Sequence, residues 1–276
     1  MNIENLGSYL KFIEQAKFKL SHISYSKLKT LECPLKFTLR YIYTYPYEPP
    51  EFFKIGREVH RIIELFLKKV KSIDESLELE NLLLNGEYQK EISKGKIISN
   101  LNFLEKLQEK LLTKGYEAYL EHEEKIEINE IDVKLYGIFD AMYINHKKKK
   151  ILVIDHKTSK VARTSPYLIQ AICYKKILEK LYPDFEILLA FNFIREEESL
   201  YFVEKLDTSQ LSNYIKRLKN TYFDNPFGKK ETYLCKYCEY RDICQKINTN
   251  YSFYENDLII KSSIEKLIEE EIKLCV

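Results

Sequence analysis

Between Val133 and Lys157 the chain reads as two β-strands joined by a polar turn, and each strand carries an aspartate among apolar residues. Val133 to Ile144 is rich in β-branched and aromatic residues. Ile151 to Ile154 is a purely aliphatic run leading into Asp155-His156-Lys157. Asn145-His146 and the four lysines that follow fit a hairpin turn. Pairing these strands sets Asp140, in Gly137-Ile138-Phe139-Asp140, beside Asp155. Lys157 lies two residues beyond Asp155 and faces the same side, because side chains alternate along a strand. Such a pairing would bring two carboxylates and an amine to one sheet edge. Two carboxylates so close repel unless a cation or a shared proton intervenes. Mg²⁺ takes hard oxygen ligands, commonly one or two carboxylates with waters and phosphate oxygens. Asp140, Asp155 and the backbone carbonyl of His156 are the candidate ligands. A metal in such a place acidifies water and polarises a phosphoryl oxygen, with Lys157 as base or as charge stabiliser.

The remainder of the chain surrounds this pair with helices. Ser24 is a candidate N-cap for a helix running to Tyr43, with Leu28, Leu31, Leu35 and Leu39 at helical spacing. Pro46, Pro49 and Pro50 impose a loop. Lys54 to Val70 and Ile97 to Leu120 read as amphipathic helices, and the charged residues 71–95 between them as a surface helix or lid. Strand-like runs follow at Lys125–Ile128, Phe185–Ile194 and Leu200–Leu206. Helices are expected at 165–181, where Pro166 suits the first turn, and at about 207–222. The tail from Asp257 has a single apolar helical face. These readings predict one α/β domain over 1–276: a mainly helical region (1–120), a catalytic core (121–222), a cysteine segment (223–250) and a C-terminal helix (251–276).

Two further pairs sit where they can serve the carboxylates. Gly56 and His60 open an amphipathic helix, and imidazole is a ligand for metals such as Mn²⁺. Gln170 and Tyr174 lie four apart on the next helix, hence on one face, where they can meet phosphate or a base. In order and spacing, Gly56 to His60, Gly137 to Asp140, Asp155-His156-Lys157-Thr158 and Gln170 to Tyr174 resemble the motifs of the PD-(D/E)XK nuclease superfamily, specifically its RecB-type exonucleases. The resemblance spans roughly residues 20–250. It implies a restriction-endonuclease-like mixed sheet flanked by helices. It also implies metal ligation by His60, Asp140 and Asp155, a catalytic Lys157, and substrate-orienting roles for Gln170 and Tyr174. His156 departs from the aromatic or aliphatic residue usual between the acid and the lysine, and its side chain should point to the other sheet face.

Of six cysteines, Cys235, Cys238 and Cys244 are close-set, a metal-ligand pattern rather than a disulfide framework. Cys33, ahead of Pro34, is the expected fourth ligand; Cys173 reads as core and Cys275 as a free thiol. Thiolates suit Zn²⁺ or an iron–sulfur cluster. One distant cysteine with a cluster of three resembles the iron–sulfur subset of RecB-type nucleases, AddB-type domains and small CRISPR-adaptation nucleases among them, and implies [4Fe–4S].

A formal charge of +2, from 44 basic and 42 acidic residues, makes any nucleic-acid surface a local one. No apolar run approaches a membrane span and the N-terminus lacks signal-peptide character, so a cytoplasmic location is expected. No P-loop motif is present, so a helicase partner would be a separate chain. The expected activity is Mg²⁺- or Mn²⁺-dependent hydrolysis of single-stranded DNA or DNA ends, in repair, recombination or CRISPR spacer acquisition. The alternative is a catalytically silent iron–sulfur DNA-binding or scaffold subunit.

Overall fold

The computed structural model describes residues 22–47, 51–68, 96–128, 133–159, 161–196 and 200–247. In chain order the elements are α1 (Tyr25–Leu31), α2 (Pro34–Phe37), α3 (Glu51–Leu67), α4 (Lys96–Thr113), β1 (Glu117–Ile128), β2 (Val133–Asn145), β3 (Lys150–Lys157), α5 (Leu168–Leu181), β4 (Glu186–Phe193), β5 (Tyr201–Phe202), α6 (Gln210–Asp224) and α7 (Arg241–Lys246). They fall into two compact units. One comprises Met1–Pro50, Glu127–Lys134 and Ser212–Val276; the other comprises Glu51–Ile126 and Leu135–Leu211.

The second unit holds the greater part of the mixed sheet, whose further short strand, His22–Ser24, belongs to the first unit. β2 and β3 pair antiparallel, with Asn145 opposite Lys150 closing the turn and Ala141 opposite Ile154. β3 and β4 pair parallel, Asp155 opposite Phe191 and His156 opposite Asn192. β4 and β5 pair antiparallel, and β1 also pairs with β2. The parallel pair needs a crossover, which α5 provides. On one face, Ala141, Tyr143, Leu152 and Ile154 pack against Leu107 and Leu111 of α4. Val59, Ile62, Ile63 and Phe66 of α3 join Leu101 and Leu104 of α4 and Ile194 in a second cluster. Gln108 ties the helices together: its amide donates to the Leu67 carbonyl at 2.7 Å, one of the acceptors a helix end leaves unpaired. On the other face lies α5, whose Ile177 and Tyr174 abut Gly137. This mixed sheet with helices on both faces is the α/β, restriction-endonuclease-like arrangement the sequence implies.

Three element boundaries differ from the sequence reading. The helix expected to reach Leu120 stops at Thr113. Gly115 adopts φ +81°, Tyr116 N–H donates to the Leu111 carbonyl and Gly115 N–H to Leu112, a Schellman ending that frees residues 117–124 to lengthen β1. The helix from Ser24 breaks at Cys33, where Pro34 starts a new short helix that continues as a π-helical turn, Thr38–Ile42. Ser24 does cap α1, accepting from Lys27 N–H at 3.3 Å. The run at 200–206 forms only the two-residue β5, and Lys205 has φ +53°. The expected lid at 71–95, the C-terminal helix and Cys275 lie outside the described residues.

In the first unit, Leu35, Leu39, Phe227, Tyr240, Ile243 and Ile247 form a core against which Cys33, Cys238 and Cys244 pack. Glu239, nearly buried, pairs with Lys36 at 3.0 Å and Arg40 at 3.6 Å. Among the described residues no helix is long and apolar enough to cross a membrane.

Candidate active site

The pairing of β2 with β3 ends at Ala141 opposite Ile154, and Asp140 and Asp155 each lie one residue beyond it. Asp155 is buried. Its Oδ1 accepts from the Gln170 amide at 2.7 Å and lies 3.1 Å from the Tyr174 hydroxyl; its Oδ2 is ion-paired with Lys157 Nζ. Lys157 also donates to Gln170 Oε1 at 2.8 Å, and its ammonium lies 4.6 Å from the Tyr167 ring centre and 5.5 Å from that of Phe191. Gln170 and Tyr174, four apart on α5, are themselves buried, and Tyr174 donates to the Ile138 carbonyl at 2.6 Å. Of the two residues expected to orient substrate, Gln170 contacts both Asp155 and Lys157, and Tyr174 contacts Asp155.

Asp140 is served from the other side. Its Oδ2 accepts the backbone N–H of His156 at 2.7 Å and lies 3.2 Å from Nδ1 of His60 on α3. Glu121 of β1 completes this corner: ligand atoms of His60, Glu121 and Asp140 all lie within 4.8 Å of one another. The sequence reading missed Glu121, because residues 117–124 are charged and lack strand alternation. The structure sets it apart by its backbone, φ +51°, a left-handed conformation that a non-glycine residue adopts at a cost of about 1–3 kcal/mol.

The His156 side chain does lie on the opposite face from Asp155 and Lys157. It is buried, and its Nδ1 sits 3.1 Å from the Asn192 amide nitrogen; Asn192 and Asn100 exchange hydrogen bonds at 2.9 and 3.0 Å. Since that nitrogen of Asn192 is a donor, the ring proton belongs on Nε2. Burial pushes the His156 imidazole down to about 4, so the ring is neutral.

Charge in the site is unbalanced. Burial raises Asp140, but His60 overrides it and holds the carboxyl down at about 2. Burial pushes Asp155 up to about 6, against the pull of Lys157. Burial and then Asp140 push Glu121 up to about 7. Burial lowers His60, but Asp140 more than compensates and lifts it to about 8. Three carboxyls thus face Lys157 and a His60 that keeps its proton at neutral pH, and the remaining negative charge is relieved either by further protons or by a bound cation. Oxygen donors with one imidazole suit Mg²⁺ or Mn²⁺, and the residues present fit such an ion.

A sequence profile of the PD-(D/E)XK nuclease superfamily matches residues 22–245. The chain belongs to that superfamily. Among curated proteins no relative matches. Solved structures similar to this PD-(D/E)XK chain include that of SSO0001, 18% identical with a TM-score of 0.42, over 90% of this chain and 98% of the other. A second, named "Putative exonuclease", comes from Eubacterium rectale; it is 14% identical with a TM-score of 0.40, over 91% of this chain and 95% of the other.

The cysteines form a second cluster, wholly within the first unit. Cys33, Cys235, Cys238 and Cys244 line one cavity of about 340 Å³ together with Lys229, Thr232 and Tyr240. All four are free thiols. Burial raises Cys244 most, and the other three cysteines each add to the rise, so the four sulfurs feel one another. Cys173 is buried in α5, as expected of a core residue.

Proposed function

We propose that this PD-(D/E)XK protein is a metal-dependent DNA exonuclease of the RecB type. It hydrolyses phosphodiester bonds of single-stranded DNA or DNA ends, in repair, recombination or CRISPR spacer acquisition. The observation that carries the reading is the joint placement of Asp140, Asp155, Lys157 and His60, each buried or half-buried and each held by a named partner. His60, Asp140, Asp155 and the His156 carbonyl are the proposed ligands of Mg²⁺ or Mn²⁺, with Glu121 as an additional carboxylate. The ion, when bound, supplies a water of lowered pKa and Lewis-acid polarisation of the phosphoryl oxygen. The protein's own groups do the rest. Gln170 and Tyr174 fix Asp155 in one rotamer, Gln170 also anchors Lys157, and the Lys157 ammonium meets the charge that gathers on phosphate in the transition state. The rings of Tyr167 and Phe191 shield that ammonium from water, which strengthens its field.

The deciding assay is degradation of labelled single-stranded and duplex DNA with Mn²⁺ and with EDTA. Asp155→Ala is expected to abolish cleavage; equal degradation by variant and wild type would falsify the assignment. A fold that binds DNA without cutting it under any metal favours the silent scaffold instead.

For the cysteines the reading is a structural [4Fe–4S] cluster, with Zn²⁺ the lesser alternative, ligated by Cys33, Cys235, Cys238 and Cys244. Their convergence on one cavity from positions about 200 residues apart supports it. Cys33→Ala should purify without the cluster; full iron and visible absorbance in that variant would remove Cys33 from the ligand set.

A further inference from the structure

We infer that the turn Tyr233–Tyr237 is a stacking platform for the bases of single-stranded DNA, an inference that rests on the nuclease reading and adds a binding surface to it. The turn is a five-residue 3₁₀ helix set by Thr232, whose hydroxyl accepts from Leu234 N–H at 3.2 Å. Its side chains divide by role. Cys235 lines the cysteine cavity. Tyr233, Leu234 and Tyr237 instead stand 81%, 51% and 57% exposed. Large apolar groups left in water contribute nothing to folding, so three of them within five residues call for another use. In a 3₁₀ helix, residues three apart align, so Tyr237 falls in line with Leu234 and Lys236 with Tyr233. The two tyrosines therefore occupy neighbouring columns, separated by a rise of about 8 Å.

The charge beside them selects the occupant. Lys229, Lys230, Lys236 and Arg241 fall within fourteen residues of the same segment, with Glu231, Glu239 and Asp242; Glu239 is paired with Lys36 and Arg40, Lys230 with Glu32 at 2.9 Å, and Lys229 donates to the Ile247 carbonyl at 2.6 Å, so Lys236 is the cation set directly beside the tyrosines. Lys236 lies 4.8 Å from the centre of the Tyr237 ring. Aromatic faces interleaved with lysines are poorly suited to a dry protein interface, whose centre is depleted of lysine. They suit a nucleic-acid strand, which offers a π-face on every base and a phosphate at every step. Recognition of this kind is tolerant of sequence, which fits a degradative enzyme.

The test is binding of a fluorescently labelled oligothymidylate, followed by anisotropy in EDTA so that nothing is cut. Tyr233→Ala and Tyr237→Ala should each weaken binding about tenfold, whereas Tyr233→Phe and Tyr237→Phe should bind as wild type. In the unmutated protein, photocrosslinking with an oligonucleotide carrying 5-iododeoxyuridine should label Tyr233 or Tyr237. Unchanged affinity in the double alanine variant, or crosslinks mapping elsewhere, overturns the platform. So does a loss of affinity that follows a change in sedimenting mass, which would make the patch a self-association surface. Asp155→Ala separates the two readings: it should bind like wild type without cutting. If wild type cuts DNA and the tyrosine variants still bind, the platform falls and the nuclease stands. If wild type neither binds nor cuts DNA, both fall.

Discussion

At the scale of single residues, the site is a set of charges each tied to a neighbour. Lys157 is pinned by Asp155 and Gln170, Asp155 by Gln170 and Tyr174, and Asp140 by His60 and the His156 peptide. Glu121 differs: it stands beside His60 and Asp140 with a carboxyl pushed up to about 7 and a left-handed backbone. A carboxyl kept half protonated at neutral pH is one that a metal can recruit. Glu121→Gln should weaken Mn²⁺ binding by at least about tenfold, read by calorimetry or by the Mn²⁺ electron paramagnetic resonance signal. Unaltered affinity would remove Glu121 from the ligand shell. The other site residues were legible in the sequence because each stands at a fixed offset from a glycine or a second polar residue. Glu121 was not: it is one of several glutamates in Glu117–Ile128, and φ +51° leaves no mark in a sequence.

Among the elements, α5 packs closely on the hairpin at Gly137. A Cβ there would lie 2.8 Å from Ile177 Cδ1 and 3.4 Å from a carbon of the Tyr174 ring, the same tyrosine that steadies Asp155. Gly137→Ala should therefore push the buried Ile177 side chain aside and destabilise the fold by about 1–3 kcal/mol. Gly56, whose added Cβ meets, among the described residues, only Thr158 Oγ1 at 3.7 Å, should tolerate alanine. Urea denaturation of both variants checks the contrast, and equal stabilities would refute it. The sequence marks both glycines alike, since a motif gives spacing and not crowding. The elements themselves were legible where apolar periodicity was strong, as in α3, β2 and β3. They were misjudged where one residue overrode it. Gly115 ended α4 seven residues early, and Pro34 cut a single expected helix in two.

For the whole molecule, the site's charges tie stability to pH. His60 is raised from 6.5 to about 8, Glu121 from 4.5 to about 7 and Asp155 from 3.8 to about 6. All three bind protons more tightly when folded. Their stabilisation is complete below the unfolded values and is lost as pH rises through the folded ones. Asp140, lowered to about 2, acts oppositely, but only as pH falls from 3.8 through about 2. Metal-free protein should accordingly show a melting temperature that declines between about pH 4 and pH 8, as Asp155, Glu121 and then His60 lose their protons. Mn²⁺ should raise it more at the upper end, because metal and protons compete for the same ligands. A metal-free melting temperature that is flat or rising over that interval would contradict the charge arrangement.

The reciprocal pairing of Asn100 with Asn192 bears on a different matter, the uniqueness of the native state. Both amides are buried, one on α4 and one on β4, and each completes the other. Apolar contacts alone would let α4 slide along the sheet with little penalty, since one leucine replaces another after a turn. A slip of one turn, about 5.4 Å, would strand two amides in an oily interior at about 1–3 kcal/mol for each unmatched group. The pair works as an index mark that fixes the helix in a single register. Because Asn192 also holds the His156 ring, that register reaches the residue between Asp155 and Lys157.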